Sequence, residues 1–188
     1  MHSRRKLSSL DTAGMLGYLL VAGISLLVQR IDEGWSVWTA FKLGADAAVL
    51  AIALWLIPGQ STPTPLRQAA SWVVLLAVPW LVSLNVEPAL VFSLSAESFI
   101  LSPHIAFHLL MLGGYGLALT ALLAFLAMRP LRRGESWSIW SLLLIALLPL
   151  SADFIATLFV YQDVAHTIGH LLSPVLVLIG VGLLTLER

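Results

Sequence analysis

The sequence predicts an all-α membrane protein, a polytopic bundle of six transmembrane helices, and three observations predict it. Hydrophobic residues make up 59% of the chain and charged residues 11%, with a mean hydropathy of +0.94. The charges fall in short clusters between long apolar runs, whereas a water-soluble chain of this length would spread them over a polar surface. Each run is long enough, at about 1.5 Å of rise per residue, to cross a hydrocarbon layer of roughly 30 Å.

Composition also excludes whole classes of function. The chain has no cysteine, which removes disulfides, thiolate nucleophiles and sulfur-ligated metal sites. Any metal would need nitrogen and oxygen ligands. Ten basic residues balance ten acidic ones and form no basic stripe, so nothing points to nucleic acid. The lipid bilayer is the one partner that the composition demands.

The spans follow in order, and residues 1–188 read as a single integral membrane domain. The first, about 12–30, follows the basic "MHSRRK". "VQRIDEG" offers no small-residue cleavage site, so this span reads as an uncleaved anchor. Gly14, Gly17 and Gly23 give it a small-residue face able to dock another helix, as in a homo-oligomer or a larger membrane complex. In the second span, about 36–57, Lys42 and Asp46 stand one turn apart and can pair. The third, about 69–86, contains Pro79, which can bend it.

Residues 87–103, "EPALVFSLSAESFILSP", are too apolar for a plain aqueous loop and too short, with Glu97, to cross. They are expected to lie on the interface as an amphipathic or re-entrant lid. The fourth span, about 103–128, has Ser102 as its cap and Pro103 at its first position, and "GGYG" (113–116) invites a neighbouring backbone. In the fifth, about 137–160, Pro149 precedes Asp153 by one turn. The sixth, about 164–186, has Asp163 as its cap, and Pro174 deprives the His170 carbonyl of its hydrogen bond.

Basic residues set the direction of insertion, because cytoplasmic loops retain the excess of Lys and Arg. With six spans, Arg4, Arg5, Lys6, Arg67, Arg129, Arg132, Arg133 and Arg188 share one side. Asp32, Glu33, Glu87, Glu97 and Asp163 occupy the other, with Arg30 and the boundary residue Lys42. Both termini are therefore expected in the cytoplasm, in a bacterial inner membrane.

Four of the five histidines lie in two copies of one pattern, "HIAFHLL" (104–110) and "HTIGHLL" (166–172). The fourth and sixth spans run the same way, so the copies sit at equivalent depths near the outer face. The i,i+4 spacing puts each pair on one helix face, with Cβ atoms roughly 6 Å apart. Asp153 approaches the same layer, and so does Asp46 unless it pairs with Lys42. A charge at mid-bilayer costs roughly 2.5–3.5 kcal/mol on insertion scales, so such residues face a partner or a wet cavity.

The expectation is a polar cluster at the outer face. His104, His108, His166 and His170, with Asp153, would bind zinc, copper or iron; alternatively His108 and His170 would be the axial pair of a b-type haem. Met111 would be a soft copper ligand or a packing residue. A zinc site with an open position would activate water for hydrolysis, and copper or haem would serve electron transfer or cofactor handling. Whether the protein is an enzyme stays open. Two other readings compete: a proton- or cation-coupled small transporter using Asp46 and Asp153, and a noncatalytic subunit or assembly factor. Interfacial histidines that merely reach for headgroups or a neighbouring helix are the plain structural explanation.

The late H-x-x-x-H on the last helix resembles the membrane zinc hydrolases that include alkaline ceramidases and adiponectin-receptor relatives. The resemblance implies that His166 and His170 are zinc ligands, with His104 or His108 as the third and Asp153 near the activated water. That family has seven spans and an early S-x-x-x-H, whereas Ile100 and His104 stand four residues before the histidines here. No G-x-S-G of the rhomboid type occurs. The repeated motif also suggests an internal duplication in which spans three and four match five and six.

A chain without cysteine lends itself to a topology test. Ser95→Cys is expected to react with a membrane-impermeant thiol reagent on intact cells, and Ser61→Cys only after permeabilisation. The reverse pattern overturns the orientation.

Overall fold

A computed structural model describes residues 7–33, 37–57, 63–85, 103–160 and 164–187, and among them all regular structure is helical. Helix α1 (Ser9–Glu33) is followed by α2 (Val37–Leu56) and α3 (Pro65–Leu75), the last continued over 78–85 after a turn. Helix α4 (Pro103–Leu126) runs into a π-helical turn, Ala127–Leu131. Helix α5 (Ser136–Ile145), a second π-turn (Ala146–Leu150) and α6 (Ser151–Val160) together form one span. Helix α7 (Val164–Leu183) ends in a 3₁₀ turn, Leu184–Glu187. Six of these spans are long and apolar enough to cross a membrane, so the chain is a multi-pass membrane protein.

Two spans start earlier than their apolar runs, and capping explains why. Ser8 precedes α1 and its Oγ accepts from the Asp11 backbone N–H at 3.0 Å, which draws Asp11 into the first helical turn. Thr64 caps α3 the same way, accepting from Arg67 N–H at 3.3 Å, with Pro65 preset for the first turn. The first cap carries the charged Asp11 into the bundle, where it is buried. The first span thus reaches nearer its basic end than its hydropathy indicates.

Prolines shape three of the spans. Pro79 cannot donate to the Leu75 carbonyl, and the third span loosens there: Leu76 N–H is shared between Trp72 and Val73, and Ala77 bonds Val74 at 3.1 Å. Pro149 lies in the second π-turn, where Ser151 Oγ donates to the Ala146 carbonyl at 2.7 Å. Pro130, which the pattern did not single out, lies in the first. Helix α7 continues as helix through Pro174. The fourth span ends at Gly134, whose φ of 75° lies in the left-handed region and lets its N–H reach the Leu131 carbonyl at 3.0 Å.

The third span is the axis of the bundle. Within its apolar window 61% of residues are buried, against 28% to 39% in the other five spans. It packs most heavily on α7, then on α1 and on the π-turn after α4. Lipid gives no hydrophobic drive to helix association, so the contacts depend on close approach at small residues. A Cβ on Gly14 would fall inside the Trp72 ring, Gly17 lies against Leu76, and a Cβ on Gly180 would come within 2.9 Å of the Ala70 carbonyl oxygen.

These contacts correct two expectations. Gly14 and Gly17 face α3 of the same chain rather than a partner protein, while Gly23 has open space around it. Within "GGYG", Gly116 is covered by the Asn85 side chain, not by a backbone, and Gly114 has nothing nearby. The core they close around includes Tyr18, Val74, Val78, Leu123, Met128 and Val177.

Replacing Gly14 tests this packing. Gly14→Ala forces a methyl into a rigid indole and is expected to cost about 1–3 kcal/mol, measured as unfolding in detergent. Gly23→Ala should leave stability unchanged or slightly raised, since the helix gains propensity without a clash.

Candidate functional site

Helices α6 and α7 are packed neighbours, and each brings one of the singled-out residues to their contact. Asp153 lies in the first turn of α6, just past the π-turn, and its Oδ2 contacts Nδ1 of His170 on α7. The imidazole is the inner member of the pair, 11% exposed, and the carboxylate the outer, 52% exposed. Thr157 Oγ donates to the Asp153 carbonyl at 2.8 Å, which ties the next turn of α6 back to this residue.

This geometry orients the ring. A carboxylate on Nδ1 favours the tautomer that carries its proton there, in which Nε2 has a lone pair for a metal or a haem iron. It is the arrangement by which an outer carboxylate positions a histidine ligand. His104 and His108 lie on α4 and His166 on α7, and their side chains fall outside the described residues, as do Ser102, Asp163 and residues 87–102. Among the described residues, no three His, Asp or Glu side chains converge as a metal site. Met111, also on α4, is 36% exposed.

Asp46 does not join Asp153; it belongs to a second polar array between α1 and α2. Lys42 and Asp46 are both buried, 2% and 4% exposed, on one face of α2. The Lys42 ammonium donates to Ser25 Oγ at 3.0 Å, and Ser83 Oγ donates to the same oxygen at 3.3 Å. The Ser25 hydroxyl in turn donates to the Ala22 carbonyl at 3.0 Å. Tyr18 OH reaches the Asp46 carbonyl at 3.3 Å and its Oδ1 at 3.5 Å. Asp46 Oδ2 is buried without a hydrogen-bond partner.

A third polar group lies toward the basic end. Asp11 Oδ1 accepts from Arg132 Nη2 at 2.8 Å and from Trp72 Nε1 at 3.0 Å, and Oδ2 accepts from Ser8 Oγ at 2.9 Å. Asp11 and Arg132 are 3% and 2% exposed, so this ion pair is sealed between the first, third and fourth spans. The Nε and Nη1 of Arg132 face the interior without a partner. Nearby, Arg67 Nε bonds Glu187 Oε2 at 2.9 Å and Thr64 Oγ bonds Glu187 as well, joining the third span to the end of the sixth. Arg67 and Glu187 border a cavity of about 180 Å³ with Ser138 and Gly134.

Asp11, Tyr18 and Arg132 do not stand out by type, but one signal marks two of them. Asp11, Tyr18 and Ser25 fall seven residues apart, two turns each, and so share one face of an otherwise apolar helix. No protein family, curated protein or solved structure matches the chain. Its chemistry therefore rests on these residues alone.

The sealed ion pair predicts a marked asymmetry between single and double replacement. Arg132→Met strands the Asp11 charge and is expected to cost about 3–5 kcal/mol, whereas adding Asp11→Leu should recover most of the loss in detergent unfolding.

Proposed function

We propose that the protein binds a transition metal or a b-type haem near the outer face of a bacterial inner membrane, with both termini in the cytoplasm. His104, His108, His166 and His170 would supply the ligands to zinc, copper or iron, or His108 and His170 the axial pair to haem. The role would be redox, cofactor handling or zinc-dependent hydrolysis. The observation that supports this reading is the contact between Asp153 and His170 across α6 and α7.

An imidazole whose Nδ1 proton is held by a carboxylate presents a basic, oriented Nε2, and the carboxylate's charge offsets that of a bound cation. A carboxylate in a transmembrane span is costly, and pairing with a ligand histidine offsets that cost. Helices α4 and α7 carry their histidine pairs at matching positions, i and i+4, within the first turns of each helix. Bound metal would supply Lewis acidity or a redox couple; the chain's own part is to aim the imidazoles and to keep the site within lipid.

Elemental analysis and a pyridine haemochrome assay on protein purified in mild detergent test the proposal. Near-stoichiometric metal or haem is expected in the native chain and none in the His108→Ala, His170→Ala double variant. Asp153→Asn should weaken retention by about 10–100-fold. A folded native protein that holds neither metal nor haem after reconstitution overturns the reading.

A further inference from the structure

Helix α1 presents buried polar groups at three levels, Asp11, Tyr18 and Ser25, about 10.5 Å apart along its axis at the usual helical rise. The levels are not equally satisfied. At the lowest, the Asp11 carboxylate receives three donors, from Arg132, Trp72 and Ser8, and is fully compensated as an anion. At the highest, Ser25 both accepts and donates. At the middle level the Asp46 carboxylate has one long bond from Tyr18 to Oδ1, the Lys42 ammonium one turn before it, and a bare Oδ2.

An ionised carboxylate can accept at about four positions, and in hydrocarbon it has no water to fill the rest. Two carboxylates on the same side of one helix are thus built differently. Asp11 is locked in its charged form by its neighbours, and Asp46 has an oxygen open to a proton.

We propose that Asp46 is a proton-exchange site within the membrane, with Lys42 as its counter-charge and Tyr18 as its hydrogen-bond donor. One proton adds to Oδ2 from the aqueous phase and leaves by the same oxygen; no other bond is made or broken. Uptake raises the charge of the array by one and removes the anion that faces the Lys42 ammonium. A neutral carboxyl is a weaker acceptor for the Tyr18 hydroxyl of α1 than a carboxylate, while the Lys42 ammonium keeps its bond to Ser25.

The groups around the site make the reading specific. The elements packed on α2 are α1 and α4 with its π-turn. On α1, among side chains that are described, Tyr18 stands at this level and Asp11 lies two turns nearer the basic end, held by Arg132. On α4 and its π-turn, Tyr115 and Arg129 are both exposed. None of the array's residues lies on α4, α6 or α7, so the inference stands apart from the histidine site.

Infrared difference spectra of the native chain in lipid, recorded across a pH titration, test the proposal. The expected result is a carbonyl band of a protonated carboxylic acid that grows as pH falls, disappears in Asp46→Asn and survives in Asp153→Asn. Tyr18→Phe should keep the band but move its frequency, because the hydrogen bond to the carboxyl is gone. Superimposable spectra of the native chain and Asp46→Asn would overturn the proposal and leave Asp46 a carboxyl that does not exchange its proton. Should Asp46→Asn not fold, Tyr18→Phe decides alone, and an unmoved band, or no band, overturns it equally.

Discussion

Hydrocarbon offers a helix neither water for its polar groups nor a hydrophobic reason to associate, and every feature of this bundle answers that constraint. The answer is concentrated on the third span. It meets α1 at Gly14 and Gly17, and α7 at Gly180, where backbones come close enough for dispersion contacts to accumulate over many atoms. Trp72 serves both needs at once: its ring fills the space over Gly14, and its indole N–H goes to Asp11. Remove that side chain and the same act opens a void and leaves an acceptor short of a donor.

The two buried carboxylates and the histidine differ in how fully their own polar atoms are used. Around Asp11, donors from three elements converge on one carboxylate, and the arrangement is suited to holding helices in register rather than to changing state. Around Asp46 and around His170, one oxygen and one ring nitrogen remain to be used. The three sites also lie on different pairs of helices: α1 with the end of the fourth span, α1 with α2, and α6 with α7.

Six spans were legible because a long apolar run has few alternatives: at this composition it must be a membrane helix. The meeting of Asp153 with His170 was legible too, since both stand at similar depth on consecutive antiparallel spans. Whether Asp46 joined that cluster or paired with Lys42 was left open by the sequence, because depth alone does not say which side of a helix faces which neighbour. Asp11 and Arg132 were missed for a different reason. Both lie at span ends among other charges, where hydropathy marks a boundary and the positive-inside rule counts Arg132 as a loop residue. Their burial depends on Ser8 drawing Asp11 into α1 and on the helix after Pro130 running on to Arg133, and neither shows in an apolar pattern.

The π-turn at Ala146–Leu150 carries a consequence for how this chain can be compared with others. A turn that accommodates one additional residue rotates everything beyond it by about 100° relative to an uninterrupted α-helix. A helical wheel drawn straight through residues 136–160 would therefore assign Asp153 to the wrong azimuth, turned away from α7. A shorter relative lacking one residue in this stretch would align without difficulty by hydropathy while aiming its carboxylate elsewhere. In this span the count of residues, more than their identity, decides which neighbour a side chain meets.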